Sequence, residues 1–148
     1  MDHKFRIDVI RLIESHFALN RQYKWDKKEL IEFQQSIEIE HKHVDNILAV
    51  VVKCSSDSEK LPFRFSVAWE GAFAFDAMPS KDLLERIAHI NCASIIFPYV
   101  RESIADLTRR ASIAPLNLPP FNFVALYEEK QKAVTLAAPK KPVKKSKA

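Results

Sequence analysis

The sequence predicts an α+β protein, in which a four-stranded, meander-like antiparallel sheet packs on a long Pro-kinked helix, with a short C-terminal helix after it. Two observations predict this β4-α architecture. Up to Phe75, the apolar residues fall into four runs, three of which alternate with polar residues as in half-buried strands. After Ser80, the period changes to that of an amphipathic helix.

Each strand is predicted from its own pattern. The second run covers 31–40, the third is a β-branched stretch over 47–54, and the fourth covers 63–75, with Asp45–Asn46 as a turn between the second and third. In the first run, the odd positions are expected to face the core, whereas two apolar residues fall on the otherwise polar face. The expected core positions are Phe5, Ile7, Val9, Ile13 and Phe17, and the two exceptions are Ile10 and Leu12.

The helical part begins with Ser80 as the expected N-cap and ends near Arg109–Arg110, where cations suit a helix C-terminus. Pro98 lacks an N–H group and is expected to kink or split this helix. A continuous helix would be roughly 48 Å long, which exceeds the span of a four-stranded sheet. The excess is therefore expected to pack on another subunit. Residues 113–121 contain three prolines and are predicted to be extended, and Asn122 is expected to cap the final helix.

Composition excludes several classes of function. The net charge of +4 reflects the seven lysines and the lack of acids between Lys130 and Ala148, because the rest of the chain carries more acids than bases. A nucleic-acid-binding face is therefore disfavoured, although a role for the tail in binding RNA or DNA stays open. Gly71 is the only glycine, so no phosphate-binding loop can form, and no cofactor is expected. No signal peptide or membrane span is recognisable, so the chain is expected in the cytoplasm.

Few residues indicate catalysis or metal binding. His41, His43 and Asp45 have the spacing of a weak metal site, but no further ligand follows at a typical distance, and no metal is expected. His89 and Cys92 lie one helical turn apart, yet no oxyanion hole or orienting carboxylate accompanies them. We therefore predict a protein that is not an enzyme.

Apolar residues in predicted loops leave two interpretations open. Tyr23 and Trp25 lie in the first connection, and Leu116, Leu118 and Phe121 lie in the proline-rich segment. These side chains either cover the core or line a groove that accepts apolar side chains of another chain.

The segment from Ala88 to Tyr127 resembles the C-terminal half of the SecB family of protein-export chaperones. Two blocks carry the resemblance, Phe97-Pro98-Tyr99-Val100-Arg101-Glu102 and Leu116-Asn117-Leu118-Pro119-Pro120-Phe121-Asn122-Phe123. The four predicted strands before them agree with the family in order and length.

The resemblance implies a homotetramer, a dimer of dimers with the long helices in the interfaces. It also implies no catalytic site and an ATP-independent holdase activity, in which unfolded or precursor polypeptides bind hydrophobic grooves between the strand 1–2 crossover loop and the terminal helix. The residues at the corresponding positions are Tyr23, Trp25, Leu116, Leu118, Phe121, Leu126 and Tyr127. The chaperone domain is expected over 1–132, followed by a disordered Lys/Pro/Ala-rich tail over 133–148.

Partner docking is the point on which the chain departs from the family. Export chaperones dock the SecA motor through acids on the outer sheet face, and the acids expected there are Glu14, Glu32, Glu38 and Glu40. Ala18, Arg64 and Ser66 replace expected docking residues, and the tail is basic. Two branches therefore stay open: an export holdase that delivers to SecA, and a SecB-like chaperone dedicated to an antitoxin or another specific client.

Overall fold

The computed structural model describes residues 4–25 and 35–134. It consists of a four-stranded antiparallel sheet with helices covering one face. The strands are β1 (Phe5–Leu19), β2 (Ser36–Val44), β3 (Ile47–Ser56) and β4 (Phe63–Phe75). The helices are α1 (Lys81–Arg86), a π-helical segment (Ile87–Cys92), α2 (Ala93–Arg110) and a C-terminal helix, α3, over residues 123–134. The predicted fold class is confirmed.

The strands lie in the order β1-β4-β3-β2, so the meander comprises β2, β3 and β4, while β1 joins it beside β4. The β2–β3 turn consists of Asp45–Asn46, as predicted, because Val44 pairs with Ile47. Asp45 has a φ of 54°, a left-handed conformation that Asp adopts more readily than most residues. Residues 26–34 of the connection from β1 to β2 lie outside the described part. β1 and β2 are the two edge strands.

Two register shifts in β1 change the expected faces of its middle residues, whereas Phe5, Ile7 and Phe17 lie on the helix-covered face as predicted. They fall between Ile7 and Val9 and between Leu12 and Glu14, and each inserts one residue relative to β4. A β-bulge reverses the faces of the residues that follow it. Ile10 and Leu12 consequently pair with Gly71 and Trp69 on the helix-covered face, and Val9 turns to the outer face, opposite Ala72. Here we call the helix-covered face inner and the opposite face outer.

The helical layer runs from Lys81 to Arg110 without a break. Ser80 caps it as predicted, with its hydroxyl accepting from the N–H of Leu83. Pro98 lies inside α2, six residues after the end of the π-helical segment, and does not split the helix. The π-helical segment was not predicted from the sequence.

Gly71 allows the long helix to approach the sheet closely. A Cβ atom at this position would lie 2.7 Å from Cε2 of Phe73 and 3.0 Å from Cδ1 of Ile96. Phe73 and Ile96 are both fully buried at the centre of the core. The only glycine of the chain thus serves packing and not phosphate binding.

After α2, the chain folds back along the helix. Ser112 ends the helix in the left-handed region with a φ of 60°, and the N–H of Ile113 bonds the carbonyl of Thr108. Residues 113–122 have no regular secondary structure, and Asn122 Oδ1 caps α3 by accepting from the N–H of Ala125 at 3.0 Å. Residues 133–134 lie in α3, although the predicted tail begins at 133, and the rest of the tail lies outside the described residues. Within the described ranges, no helix is long and apolar enough to cross a bilayer.

Candidate functional site

The first connection is held in place by Asn20 at the end of β1. The N–H of Asn20 donates to the carbonyl of Pro62 at 2.8 Å, and its side-chain amide donates to the carbonyls of Glu59 and Leu61 at 2.7 and 3.2 Å. The side-chain oxygen accepts from the N–H of Gln22. One asparagine therefore fastens the start of the crossover connection to the β3–β4 turn.

This anchored loop presents Tyr23 and Trp25. Their ring centroids lie 5.3 Å apart with planes at 75°, the edge-to-face arrangement that aromatic pairs prefer. Trp25 is 56% exposed, and Tyr23 is half-buried. An exposed tryptophan on a fixed loop places a large apolar surface in water, which favours contact with another molecule.

The extended segment is tied to α2 by two part-buried hydrogen bonds. The N–H of Leu116 donates to the Thr108 hydroxyl at 2.9 Å, and Arg101 Nε donates to the carbonyl of Leu118 at 2.8 Å. Leu116 remains half-buried, whereas Leu118 is only 3% exposed. Leu118 was predicted to line an open groove, but in the structure its side chain is buried in the hydrophobic core, and its carbonyl accepts the bond from Arg101.

Phe121 continues this segment at the surface. Its ring packs on Phe97 at 6.1 Å and on Phe123 at 5.3 Å, and those two rings are themselves 5.4 Å apart. Phe97 and Phe123 are buried, and Phe121 is half-buried. The aromatic cluster thus fixes the extended segment to the start of α3 and leaves one ring partly accessible.

Leu126 and Tyr127 of α3 face a small cavity of about 60 Å³ between α3, β2 and the π-helical segment. The remaining lining comes from Ile37, Ile39, His89 and Lys130. The rings of Tyr127 and His89 lie 5.7 Å apart between centroids, with their planes tilted at 44°. The guanidinium of Arg86 lies 5.9 Å from the centroid of the Tyr127 ring. Burial raises the pKa of Tyr127 above its usual value. Sequence reasoning placed Ile37 and Ile39 on one strand face but did not connect them with α3, because they contact it only through the fold.

Six of the seven predicted groove residues form two groups in the structure, and the seventh, Tyr127, lies against His89. Leu116, Leu118, Phe121 and Leu126 pack against the hydrophobic core. Tyr23 and Trp25 contact each other on the crossover loop, and neither belongs to the apolar side chains packed on the core of the described chain. The next nine residues of the connection lie outside the described ranges.

The outer sheet face carries Glu14 in a row with Ala68, Lys53 and Glu38 from the other three strands. Glu14 accepts a hydrogen bond from the Ser66 hydroxyl, and its Oε2 lies 3.3 Å from Lys53 Nζ. The Ser66 bond and, secondly, the lysine hold the pKa of Glu14 below its usual value. Two further pairs, Arg11–Glu70 and Arg6–Asp76, neutralise acids on the same face. Glu14 is therefore a paired carboxylate.

Glu38 and Glu40 differ from Glu14. Both are exposed on the outer face of β2, and neither forms an ion pair with another residue within the described ranges. Glu32, the fourth acid predicted for docking, lies outside the described residues. Glu38 and Glu40 are thus the predicted docking acids that remain available to a basic partner.

The two alternatives with reactive side chains receive no support. Burial raises the pKa of Cys92 and of Cys54 to about 12, so both thiols stay protonated and unreactive near neutral pH. In the part of the chain that is described, no three His, Cys, Asp or Glu residues are grouped as metal ligands. His41 contacts His89 across the β2–helix interface and not His43, which is exposed.

Comparison with known proteins identifies the family. The model of the family described as preprotein translocase subunit SecB matches residues 16–134. The chain belongs to the SecB family. It is 32% identical over 97 residues to the protein-export protein SecB of Nitrosomonas eutropha. This match covers 66% of this chain and 60% of that relative. It is 31% identical over 103 residues to SecB of Neisseria gonorrhoeae, covering 70% of this chain and 69% of the relative. The matched region therefore spans about two thirds of its relatives' length or somewhat less.

Solved structures show the same SecB-type fold at lower identity. A SecB-like chaperone of Mycobacterium tuberculosis, in complex with a ChAD peptide from the HigA1 antitoxin, superposes with a TM-score of 0.68 at 18% identity. The match covers 79% of this chain and 90% of that one. A protein of unknown function from Streptococcus agalactiae gives a TM-score of 0.52 at 10% identity, covering 80% and 99%. Both likenesses concern the fold.

Proposed function

We propose that this SecB-family protein is an ATP-independent chaperone that binds unfolded polypeptides through apolar side chains on its crossover loop and terminal segment. The observation that carries the proposal is Trp25, a tryptophan 56% exposed on a loop that Asn20 fastens to the sheet. Leu116, Phe121 and Leu126 supply further half-buried apolar surface.

Such contacts suit a chaperone because they are not directional. Fully burying a large apolar side chain stabilises a complex by about 1.5–3 kcal/mol, whatever the sequence around it. Several weak sites along one client chain add through avidity, so a long unfolded polypeptide binds more tightly than any one of its segments. No nucleotide is needed in this scheme.

Suppression of aggregation tests the proposal. The purified protein, without nucleotide, is expected to slow light scattering by a chemically unfolded substrate when present in stoichiometric excess. Trp25→Ala is expected to weaken client binding by about tenfold, as follows from losing the burial of one large side chain.

A matched control is Val44→Ala, which truncates another exposed apolar side chain at the far β2–β3 turn, 69% exposed. This variant is expected to protect the substrate as well as the wild type does. The proposal fails if wild-type protein has no effect on aggregation, or if the two variants are impaired equally.

A second candidate is a chaperone dedicated to one client, such as an antitoxin. It is favoured by the fold likeness to a SecB-like chaperone in complex with an antitoxin peptide, and by the pairing of Glu14 with Lys53 and Ser66. A dedicated chaperone is expected to bind one partner at least a hundredfold more tightly than it binds unrelated unfolded proteins. Titration against both classes of ligand decides between the candidates.

For the export branch, SecA docking would involve Glu38 and Glu40, because both carboxylates are exposed. Charge reversal at these positions is expected to abolish binding to purified SecA, whereas Glu14→Gln is expected to weaken it little. Retained binding by the doubly reversed variant would exclude this docking surface.

We also propose a homotetramer that works in the cytoplasm and has no catalytic activity. β1 is an edge strand with exposed apolar side chains, which favours association with another copy. These side chains are Ile7, Val9, Leu12, Ile13 and Leu19.

The lysine-rich tail carries the remaining alternative, association with nucleic acid. Truncation after Val134 removes five of the seven C-terminal lysines and leaves α3 as described. Chaperone activity is expected to survive this truncation, and any binding of RNA or DNA is expected to vanish. Loss of aggregation suppression would instead make the tail part of the client surface.

A further inference from the structure

His89 lies where three elements meet. It belongs to the π-helical segment, and its ring contacts His41 of β2 at 5.2 Å and Tyr127 of α3 at 5.7 Å between centroids. The histidine is 6% exposed. A π-helical turn adds one residue to a helix and often occurs at functional positions, and here it carries the histidine at the junction of β2 and α3.

Burial disfavours the protonated form of His89, and Lys130 and His41 add to this effect. From β2 the neighbour is His41, and from α3 the neighbours are Tyr127 and Lys130. Arg86 of α1 lies over the Tyr127 ring, and the carboxylates of Glu85 and Asp82 on α1 also act on that tyrosine. The inner-face residues of β3 carry no charge: Leu48, Val50 and Val52 are apolar, Cys54 is a protonated thiol and Ser56 is a hydroxyl. Within the described chain, no carboxylate forms an ion pair with His89.

We propose that His89 is a pH-sensitive latch that holds the outer part of α3 over the apolar cleft of Ile37 and Ile39, and that mild acid releases it. The inference rests on the proposed function, because Leu126, one of the proposed client contacts, lies on the segment that would move. The latch regulates access of clients to that segment and to the two isoleucines beneath it.

The part that moves is set by burial. Phe123, at the start of α3, is buried in the aromatic cluster with Phe97, whereas Leu126 and Tyr127 are half-buried and residues 128–134 are exposed. Opening therefore pivots about Phe123 and separates Tyr127 and Lys130 from His89. This motion removes a nearby lysine and admits water to the imidazole.

The sign of the pH effect follows from linkage. Burial, with Lys130 and His41 contributing, lowers the pKa of His89 from its usual 6.5 to about 4. Because the pKa of His89 is lowered in the closed form, His89 favours closure above pH 6.5. This preference is lost progressively as the pH falls from 6.5 to 4. If opening restores a pKa near 6.5, the open-to-closed ratio rises about tenfold between pH 7.5 and pH 5.5.

The test measures both the titration and the opening on the full chain. NMR titration of the histidine ring protons is expected to give His89 a pKa of about 4. Hydrogen exchange of the amides in 126–134, corrected for the intrinsic effect of pH, is expected to show about tenfold less protection at pH 5.5 than at pH 7.5.

His89→Gln removes the titrating group and keeps a polar side chain of similar length. In this variant, the protection of amides 126–134 from hydrogen exchange is expected to change less than twofold between pH 5.5 and pH 7.5. His43→Gln is the matched control and is expected to behave like the wild type. A wild-type His89 that titrates near 6.5 overturns the latch even if the variant does not fold. An equal loss of protection in His89→Gln also overturns it.

The latch and the proposed function fail in distinguishable ways. Opening of α3 in acid without suppression of aggregation at either pH would leave the latch and refute the chaperone. Suppression of aggregation with unchanged exchange would refute the latch alone.

Discussion

Lys53 of β3 reaches Glu14 of β1 across Ala68 of the intervening strand, with 3.3 Å between Nζ and Oε2. The small alanine side chain leaves the path over β4 open, so two strands that are not neighbours share an ion pair. The Ser66 hydroxyl donates to the same carboxylate. Glu14, which the sequence predicted as a docking acid, is in this way engaged within its own sheet.

The pairing makes a prediction about acid sensitivity. Because the pKa of Glu14 is lowered, chiefly by Ser66, its stabilising effect is present above pH 4.5 and is lost as the pH falls below that value. Ser66→Ala is expected to raise the pKa of Glu14 towards 4.5, and Lys53→Gln is expected to raise it less. Carboxyl NMR titration measures both. Ser55→Ala, on the same face, is the control, and an unchanged Glu14 pKa in Ser66→Ala would contradict the assignment.

Thr108 is expected to control the attachment of the extended segment. Its fully buried hydroxyl donates to a carbonyl of its own helix and accepts from the N–H of Leu116. Thr108→Val leaves that N–H without its acceptor and is expected to lower the free energy of unfolding by about 1–3 kcal/mol. Exchange of the Leu116 amide is expected to accelerate. Thr108→Ser keeps the hydroxyl, so the Leu116 amide is expected to exchange slowly in this variant. Equal exchange rates of that amide in the two variants would contradict the hydrogen bond from Leu116 to Thr108.

Gly71→Ala is expected to destabilise the protein by about 1–3 kcal/mol, because the new methyl group would meet Phe73 and Ile96 in the packed core. Denaturant unfolding measures the loss. Ala72→Ser, one residue on and facing outwards, is expected to change stability by less than about 0.5 kcal/mol. A Gly71→Ala variant of wild-type stability would mean that the helix can move away from the sheet at little cost.

Leu12→Arg is expected to weaken self-association. Leu12 is 48% exposed on the inner face of edge strand β1, so a charge there disfavours burial against another copy. Sedimentation equilibrium is expected to show a lower mass than for the wild type, with unchanged helix content by circular dichroism. Val44→Arg, near the turn on the opposite edge strand, is expected to leave the mass unchanged. Equal masses for wild type and Leu12→Arg would exclude Leu12 from the interface.

Local signals in the sequence predicted much of the fold. Ser80 and Asn122 cap the helices as their side-chain chemistry indicates, and Asp45–Asn46 form the expected turn. Alternation in β4 correctly indicated that Phe63, Phe65, Val67, Phe73 and Phe75 are buried. Each of these features depends on residues close together in the chain.

The features that were missed depend on distant partners. Ile10 and Leu12 break the alternation of β1, but the sequence alone did not show that bulges place them on the inner face, because the bulges are defined by the pairing with β4. The contact between His41 and His89 joins a strand to a π-helical turn that no local pattern predicted. Leu118 is apolar whether it lines a groove or fills the core, so its residue type does not distinguish these two roles. Its burial and the bond from Arg101 to its carbonyl are seen only in the folded structure.

The burial of both cysteines has a practical consequence for mapping client contacts. Cys54 and Cys92 are fully buried and protonated, so maleimide reagents are expected to leave the native protein unlabelled. Trp25→Cys would then introduce a lone reactive thiol on the crossover loop. A photo-crosslinker attached at that point would report which stretch of a bound polypeptide passes over the loop, with no need to remove the natural cysteines first.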